Sequence, residues 1–167
     1  HLHRDHLSAR REIIALIGEH ESHQDCDVLG WPNQQPELIC GPYRLTKLAT
    51  PGHTAEAVTI LLRKEQQIYA AFAGDLILPG GVGRTDLPGG DMSALADSIR
   101  LLAATLKDNT LVLSSHDYAQ RFFTTLALAI QEQPLLHALL QNEADIDWQQ
   151  QLQQQAVLLQ QQNQHLC

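Results

Sequence analysis

The apolar positions of this chain change their period along its length, and those changes mark out its elements. Between residues 7 and 20, Ile13, Ile14, Leu16 and Ile17 form a stripe, while Arg10, Arg11, Glu12 and Glu19 form a wet face. That spacing predicts an amphipathic helix, with Asp5 at the N-cap position. Residues 30–36 are polar and turn-rich and should be a loop. Four short runs rich in Val, Ile, Tyr and Thr, at 37–40, 44–49, 57–62 and 67–73, predict strands. The turn at 63–66 should join the last two as a hairpin. From Pro79 to Gly90 the chain holds too much Gly and Pro for any regular element, and a long loop inside a compact domain is usually functional. Asp91 should cap a helix reaching residue 106, and residues 111–113 read as a short buried strand. A helix over 119–130 is expected next, then an interruption at Pro134 and a further turn or two to residue 141. At the end, Trp148, Leu152, Ala156 and Leu159 recur at helical spacing inside a glutamine-rich stretch. Residues 148–164 fit an amphipathic helix or a low-complexity tail.

Composition narrows the class. The 167 residues suit one domain, with a body at 1–143 and a glutamine-rich helix or tail at 144–167. A net charge of −8, from 19 acidic against 11 basic residues, argues against a nucleic-acid surface. No apolar run approaches the length of a membrane span. Charge says little else about fold or partner. Cys26, Cys40 and Cys167 are far apart and form no C-x-x-C pair, which argues against a disulfide framework and for a reducing, cytoplasmic setting. The chain opens inside a motif and not at Met, so further residues are expected upstream in the natural protein.

That opening motif is His1-Leu2-His3-Arg4-Asp5-His6. Imidazole nitrogen and carboxylate oxygen are ligands for zinc and for non-haem iron(II). On an extended end that turns into a helix, His1 and His3 share a face while Asp5 and His6 open the helix. Ligand types reappear at three strand ends: His53 in Thr50-Pro51-Gly52-His53-Thr54, Asp75 after Gly74, and His116 in Ser114-Ser115-His116-Asp117-Tyr118. A loop at a strand end can aim a side chain into a cleft. His20, His23, His137 and His165 lack this setting and read as surface residues.

Taken in order, H-x-H-x-D-H, P-G-H-T, G-D, G-R-T-D and H-D-Y resemble the metallo-β-lactamase superfamily, on the glyoxalase II and persulfide dioxygenase branch. The resemblance covers residues 1–118. It implies an α/β fold, an αββα sandwich of two facing sheets, whose N-terminal strands are missing from this chain. An open sheet edge would then favour association with a second copy. The resemblance implies His1, His3 and His53 on one metal and Asp5, His6 and His116 on a second, with Asp75 bridging: a binuclear zinc-type hydrolase. In persulfide dioxygenases it implies one iron(II) on His1, His53 and Asp75, with open positions for O₂ and a sulfur substrate. Asp75 and Asp5 are the carboxylates expected nearest the chemistry. Arg84 could pair with a carboxylate of glutathione or close its own loop on Asp86 or Asp91. Tyr118 could reach the thiol substrate or pack, and Asp117 and Asp86 could orient ligands. The implied activity is oxygenation of glutathione persulfide. A glutathione thioester hydrolase and a non-catalytic interaction module are the alternatives.

Overall fold

The computed structural model describes residues 37–141 and 147–162. The expected helix at 7–20, the 30–36 loop and His1, His3, Asp5 and His6 lie outside the described residues.

Six strands form one sheet in chain order: β1 (Glu37–Cys40), β2 (Tyr43–Ala49), β3 (Val58–Lys64), β4 (Gln67–Gly74), β5 (Leu111–Ser114) and β6 (Phe123–Thr125). The first four are antiparallel neighbours. Short turns suffice between them, as at Gly41, whose φ of 57° suits a residue without a Cβ. β4 and β5 are parallel, so the chain must cross over between them. That crossover carries the glycine-rich loop and helix α1 (Met92–Thr105). The Asp91 side chain accepts a hydrogen bond from Ala94 N at 3.0 Å, capping α1. Three more helices follow: α2 (Leu126–Glu132), α3 (Pro134–Gln141) and α4 (Trp148–Gln162).

The expected helix over 119–130 is wrong in its first half. A 3₁₀ turn (Tyr118–Gln120) leads into β6, and α2 starts only at Leu126, with the Thr125 side chain accepting from Leu128 N. Phe122, Phe123, Thr124 and Thr125 are aromatic or β-branched, types that suit a pleated surface. The edge of β5 supplies the partner, pairing Leu111 with Thr125 and Leu113 with Phe123. Pairing between strands overrode the apolar spacing.

Side chains alternate across the sheet. Leu61, Ala71, Ala73 and Val112 point one way into a core with Leu95, Ile99 and Leu102 of α1, Leu136 and Leu139 of α3, and Leu152 and Ala156 of α4. On the other face Ile60, Phe72, Leu113 and Phe123 form a cross-strand row, with Phe72 42% and Phe123 57% exposed. Among the described residues the helices cover one face only, and no second sheet is present. No helix among them is long and apolar enough to cross a membrane.

Candidate metal centre

The ends of β2, β4 and β5 meet at one edge of the helix-covered layer. β4 ends on Gly74, whose φ of 56° turns the chain so that Asp75 enters the layer. Asp75 is 6% exposed. A further close approach fixes it: Gly83 N donates to the Asp75 carbonyl at 2.8 Å, and a Cβ on Gly83 would sit 2.2 Å from that oxygen. The glycine-rich loop can pass behind Asp75 only with hydrogen in that place.

The segment after β2 delivers His53. Asp91 N donates to the Gly52 carbonyl at 2.7 Å, and Ser98 Oγ of α1 donates to the Pro51 carbonyl at 2.7 Å. The cap and the middle of α1 thus pin the loop. His53 Nε2 lies 2.9 Å from Asp75 Oδ2. Its Nδ1 lies 2.7 Å from the Arg84 carbonyl, and since a carbonyl can only accept, Nδ1 carries a proton and donates. In the neutral ring Nε2 is then a lone pair aimed at Asp75.

From the end of β5, Ser115 Oγ donates to Asp75 Oδ1. His116 Nε2 comes within 3.4 Å of that same oxygen. The His116 ring stacks on Tyr118, centroids 5.1 Å apart and planes 13° off parallel. Tyr118 is 2% exposed, so packing against His116 is what the ring does here.

Two imidazoles and a carboxylate are a donor set for zinc or non-haem iron. Ligands about 2.1 Å from a shared ion stand roughly 3.0–3.4 Å from one another, and the 2.9 Å between His53 Nε2 and Asp75 Oδ2 lies close to that range. The residues present therefore fit a metal. His53 Nε2 and Asp75 are the groups that would hold it, and His116 Nε2 faces the other carboxylate oxygen, Oδ1. Among the described residues no group of three His, Cys, Asp or Glu side chains completes a metal cage. His1, His3, Asp5 and His6, the other four candidates, lie outside them.

Arg84 closes its own loop. Its Nε donates to Asp86 Oδ1 at 2.6 Å, its Nη2 to Asp86 Oδ2, and its Nη1 to Gln160 Oε1 at 2.8 Å. The guanidinium holds the Asp86 carboxyl down at about 2, and the same pairing raises the Arg84 pKa. Gln160 belongs to α4, and so does Gln153, which meets Thr85. With Leu152 and Ala156 in the core, the glutamine-rich helix is a wall of the site. The sequence reading gave these glutamines no role, although their spacing of seven places Gln153 and Gln160 near one face. Ser115 was also passed over; a lone hydroxyl beside a histidine carries no distinctive signal. A cleft of about 350 Å³, lined by Thr50, His53, Ile60, Phe72, Asp75 and Ser115, opens from Asp75 along the face of the sheet that the described helices do not cover.

The chain is 41% identical over 80 residues to the probable metallo-hydrolase YqgX of Bacillus subtilis, covering 48% of this chain and 36% of that protein. Against hydroxyacylglutathione hydrolase GloC of Haemophilus influenzae it is 31% identical over 109 residues, 65% of this chain and 48% of the relative. Against the mitochondrial persulfide dioxygenase ETHE1 of Bos taurus it is 31% identical over 122 residues, 71% and 47%. Among solved structures, ETHE1 from Myxococcus xanthus superposes with a TM-score of 0.54 at 28% identity, over 80% of this chain and 62% of that one. In sequence and in fold the chain is similar to members of the metallo-β-lactamase superfamily. Its mixed α/β body has that superfamily's fold, and its relatives on the glyoxalase II and persulfide dioxygenase branch are enzymes. The chain spans less than half the length of these three curated relatives. No protein-family model matches it.

Proposed function

We propose that this chain is the metal-binding part of a persulfide dioxygenase, oxidising the outer sulfur of a glutathione-type persulfide to sulfite and releasing the thiol. The observation that carries the choice is the unequal use of Asp75. Oδ2 faces His53 Nε2, while Oδ1 already accepts the Ser115 hydroxyl. A carboxylate that offers one oxygen to a metal and has the other occupied suits a single ion better than a bridge between two. His53 and Asp75 are then two members of a two-histidine, one-carboxylate face, and His1 is the third. Iron(II) bound there would leave positions open at which O₂ and the persulfide sulfur meet.

The chain's own residues orient and bind. The Arg84 carbonyl holds the His53 tautomer, and Ser115 holds the Asp75 rotamer. Arg84 is the candidate for a substrate carboxylate. Its Nη1 rests on the neutral Gln160 amide, which a charged carboxylate would displace, since charge-assisted hydrogen bonds are roughly twice as strong.

A second reading has its own support. His116 lies within 3.4 Å of Asp75 Oδ1, so two zinc-type ions could be held if the Ser115 hydroxyl turned away. That centre would hydrolyse a glutathione thioester, the activity in the name of GloC. The interaction-module reading, motivated by the missing N-terminal strands and the glutamine-rich helix, loses the second motive where that helix packs on the site. The apolar face that the described helices leave uncovered remains a reason to expect association with a second copy.

The test is anaerobic iron quantification of the full-length protein, joined to an oxygen-electrode assay with glutathione persulfide. Iron-dependent O₂ uptake supports the proposal. Turnover of S-lactoylglutathione without O₂ uptake would replace it with the hydrolase.

A further inference from the structure

Between helix α4 and His53 lies a single peptide group. The bond joining Arg84 to Thr85 offers its carbonyl oxygen to His53 Nδ1 at 2.7 Å and its N–H to Gln153 Oε1 at 3.0 Å. A trans peptide unit is planar and points these two atoms in opposite directions. Gln153 Oε1 also accepts the Thr85 hydroxyl at 2.5 Å, so one side-chain oxygen fixes Thr85 at two atoms. Thr85 is 9% exposed. Behind it, a Cβ on Gly90 would sit 2.1 Å from the Thr85 carbonyl oxygen, which shows how tightly the loop folds on itself.

We infer that Gln153 is a positioning residue for His53, acting through the Arg84–Thr85 peptide group, so that α4 is part of the metal centre. The inference rests on His53 being a metal ligand. Its physics is the polarisation of an amide. Donating a hydrogen bond from the N–H makes the carbonyl oxygen more negative and strengthens the bond that oxygen accepts. That bond comes from His53 Nδ1, and a stronger one makes Nε2 a better donor to a metal and holds the ring in place. The link also explains why a glutamine serves: it carries an acceptor on a side chain long enough to reach from α4, without adding charge beside Asp86.

Gln153→Met keeps the length and helix preference of the side chain but removes the acceptor. Gln153→Glu keeps the acceptor and adds charge. Two properties of the full chain decide the matter: its dissociation constant for cobalt(II), from competition with a chelating dye, and the His53 Nδ1–H resonance in proton–nitrogen spectra. Gln153→Met should bind cobalt about 10–100-fold more weakly, the usual cost of losing a ligand's hydrogen-bonded support, and its Nδ1–H resonance should move upfield. Gln153→Glu should bind as tightly as wild type and move the resonance downfield. A methionine variant with wild-type affinity and an unmoved resonance would overturn the inference. Should that variant fail to fold, the glutamate variant decides, and an unmoved resonance there is equally fatal. Wild-type chain that binds no cobalt would overturn the ligand reading itself, a result distinct from any difference between the variants.

Discussion

The two histidines beside Asp75 are held in unlike ways. His53 sits 2.9 Å from Oδ2 with its side chain 7% exposed, and its other ring nitrogen is bonded to the loop that α4 clamps. The segment that carries it is tied by two backbone acceptors to the cap and the middle of α1. His116 sits 3.4 Å from Oδ1, with its side chain 14% exposed. It shares that oxygen with Ser115 and lies flat on Tyr118. The His53 side is preorganised by bonds from separate elements; the His116 side shows a longer approach and a stacking contact. A fold that must hold one metal firmly would build the first kind of arm at its ligand and could leave the second kind beside it.

The largest effect should come from the residue both sides share. Asp75→Asn should lose bound metal and all activity, whichever reaction is catalysed. Elemental analysis and turnover check this, and a metal-replete variant would break the account of the whole edge.

The comparison itself is tested by His53→Gln against His116→Gln. The first should lose metal outright. The second should retain it, with affinity lowered about 10–100-fold at most, as for a group outside the ligand set. Equal losses, measured by competition with a chelating dye, would make the two sides equivalent and favour two ions.

The support behind His53 can be loosened from a distance. Leu152 is fully buried where α4 meets the core, and Leu152→Ala should cost about 2–5 kcal/mol of stability through lost transfer energy and a cavity. Urea unfolding measures it. A cost near zero would mean that α4 rests on the site without being anchored.

The smallest effect concerns acid. Arg84 holds the folded Asp86 carboxyl at about 2, below the value of about 3.9 for an unfolded chain. The folded state therefore favours the charged form. Its stabilisation is complete above about pH 4 and disappears as pH falls towards about 2. The Asp86 side chain is 40% exposed, so solvent screening keeps the effect slight. Asp86→Asn should flatten that part of the melting-temperature profile, and an unchanged acid slope would count against the pairing.

How much of this was legible depended on whether a signal was local. β1 to β4 could be read because short runs holding Val, Ile, Tyr or Thr end at Gly, Pro or a turn, and β5 because Leu111–Leu113 is a short apolar run. His53, Asp75 and His116 could be read as a set because each stands at such an end. β6 could not, because Phe123-Thr124-Thr125 becomes a strand only when the edge of β5 is there to pair with it. The role of α4 was invisible for a different reason. Its apolar residues do show the period of a buried face, but glutamine is compositionally bland, and nothing in a run of glutamines says that two of them hold Thr85 and Arg84. The unequal use of Asp75 was beyond reach altogether, since it depends on the rotamer of one serine.

Metal stoichiometry in full-length wild type and in Asp5→Ala, read beside persulfide-dependent O₂ uptake, tests the single-ion account most directly. Asp5 lies outside the one-iron ligand set but inside the two-metal set. The account expects one equivalent of iron in both proteins, with O₂ uptake in the variant reduced by about 10–100-fold at most. Two metals in the wild type, one in Asp5→Ala and no persulfide-dependent uptake in either would contradict it.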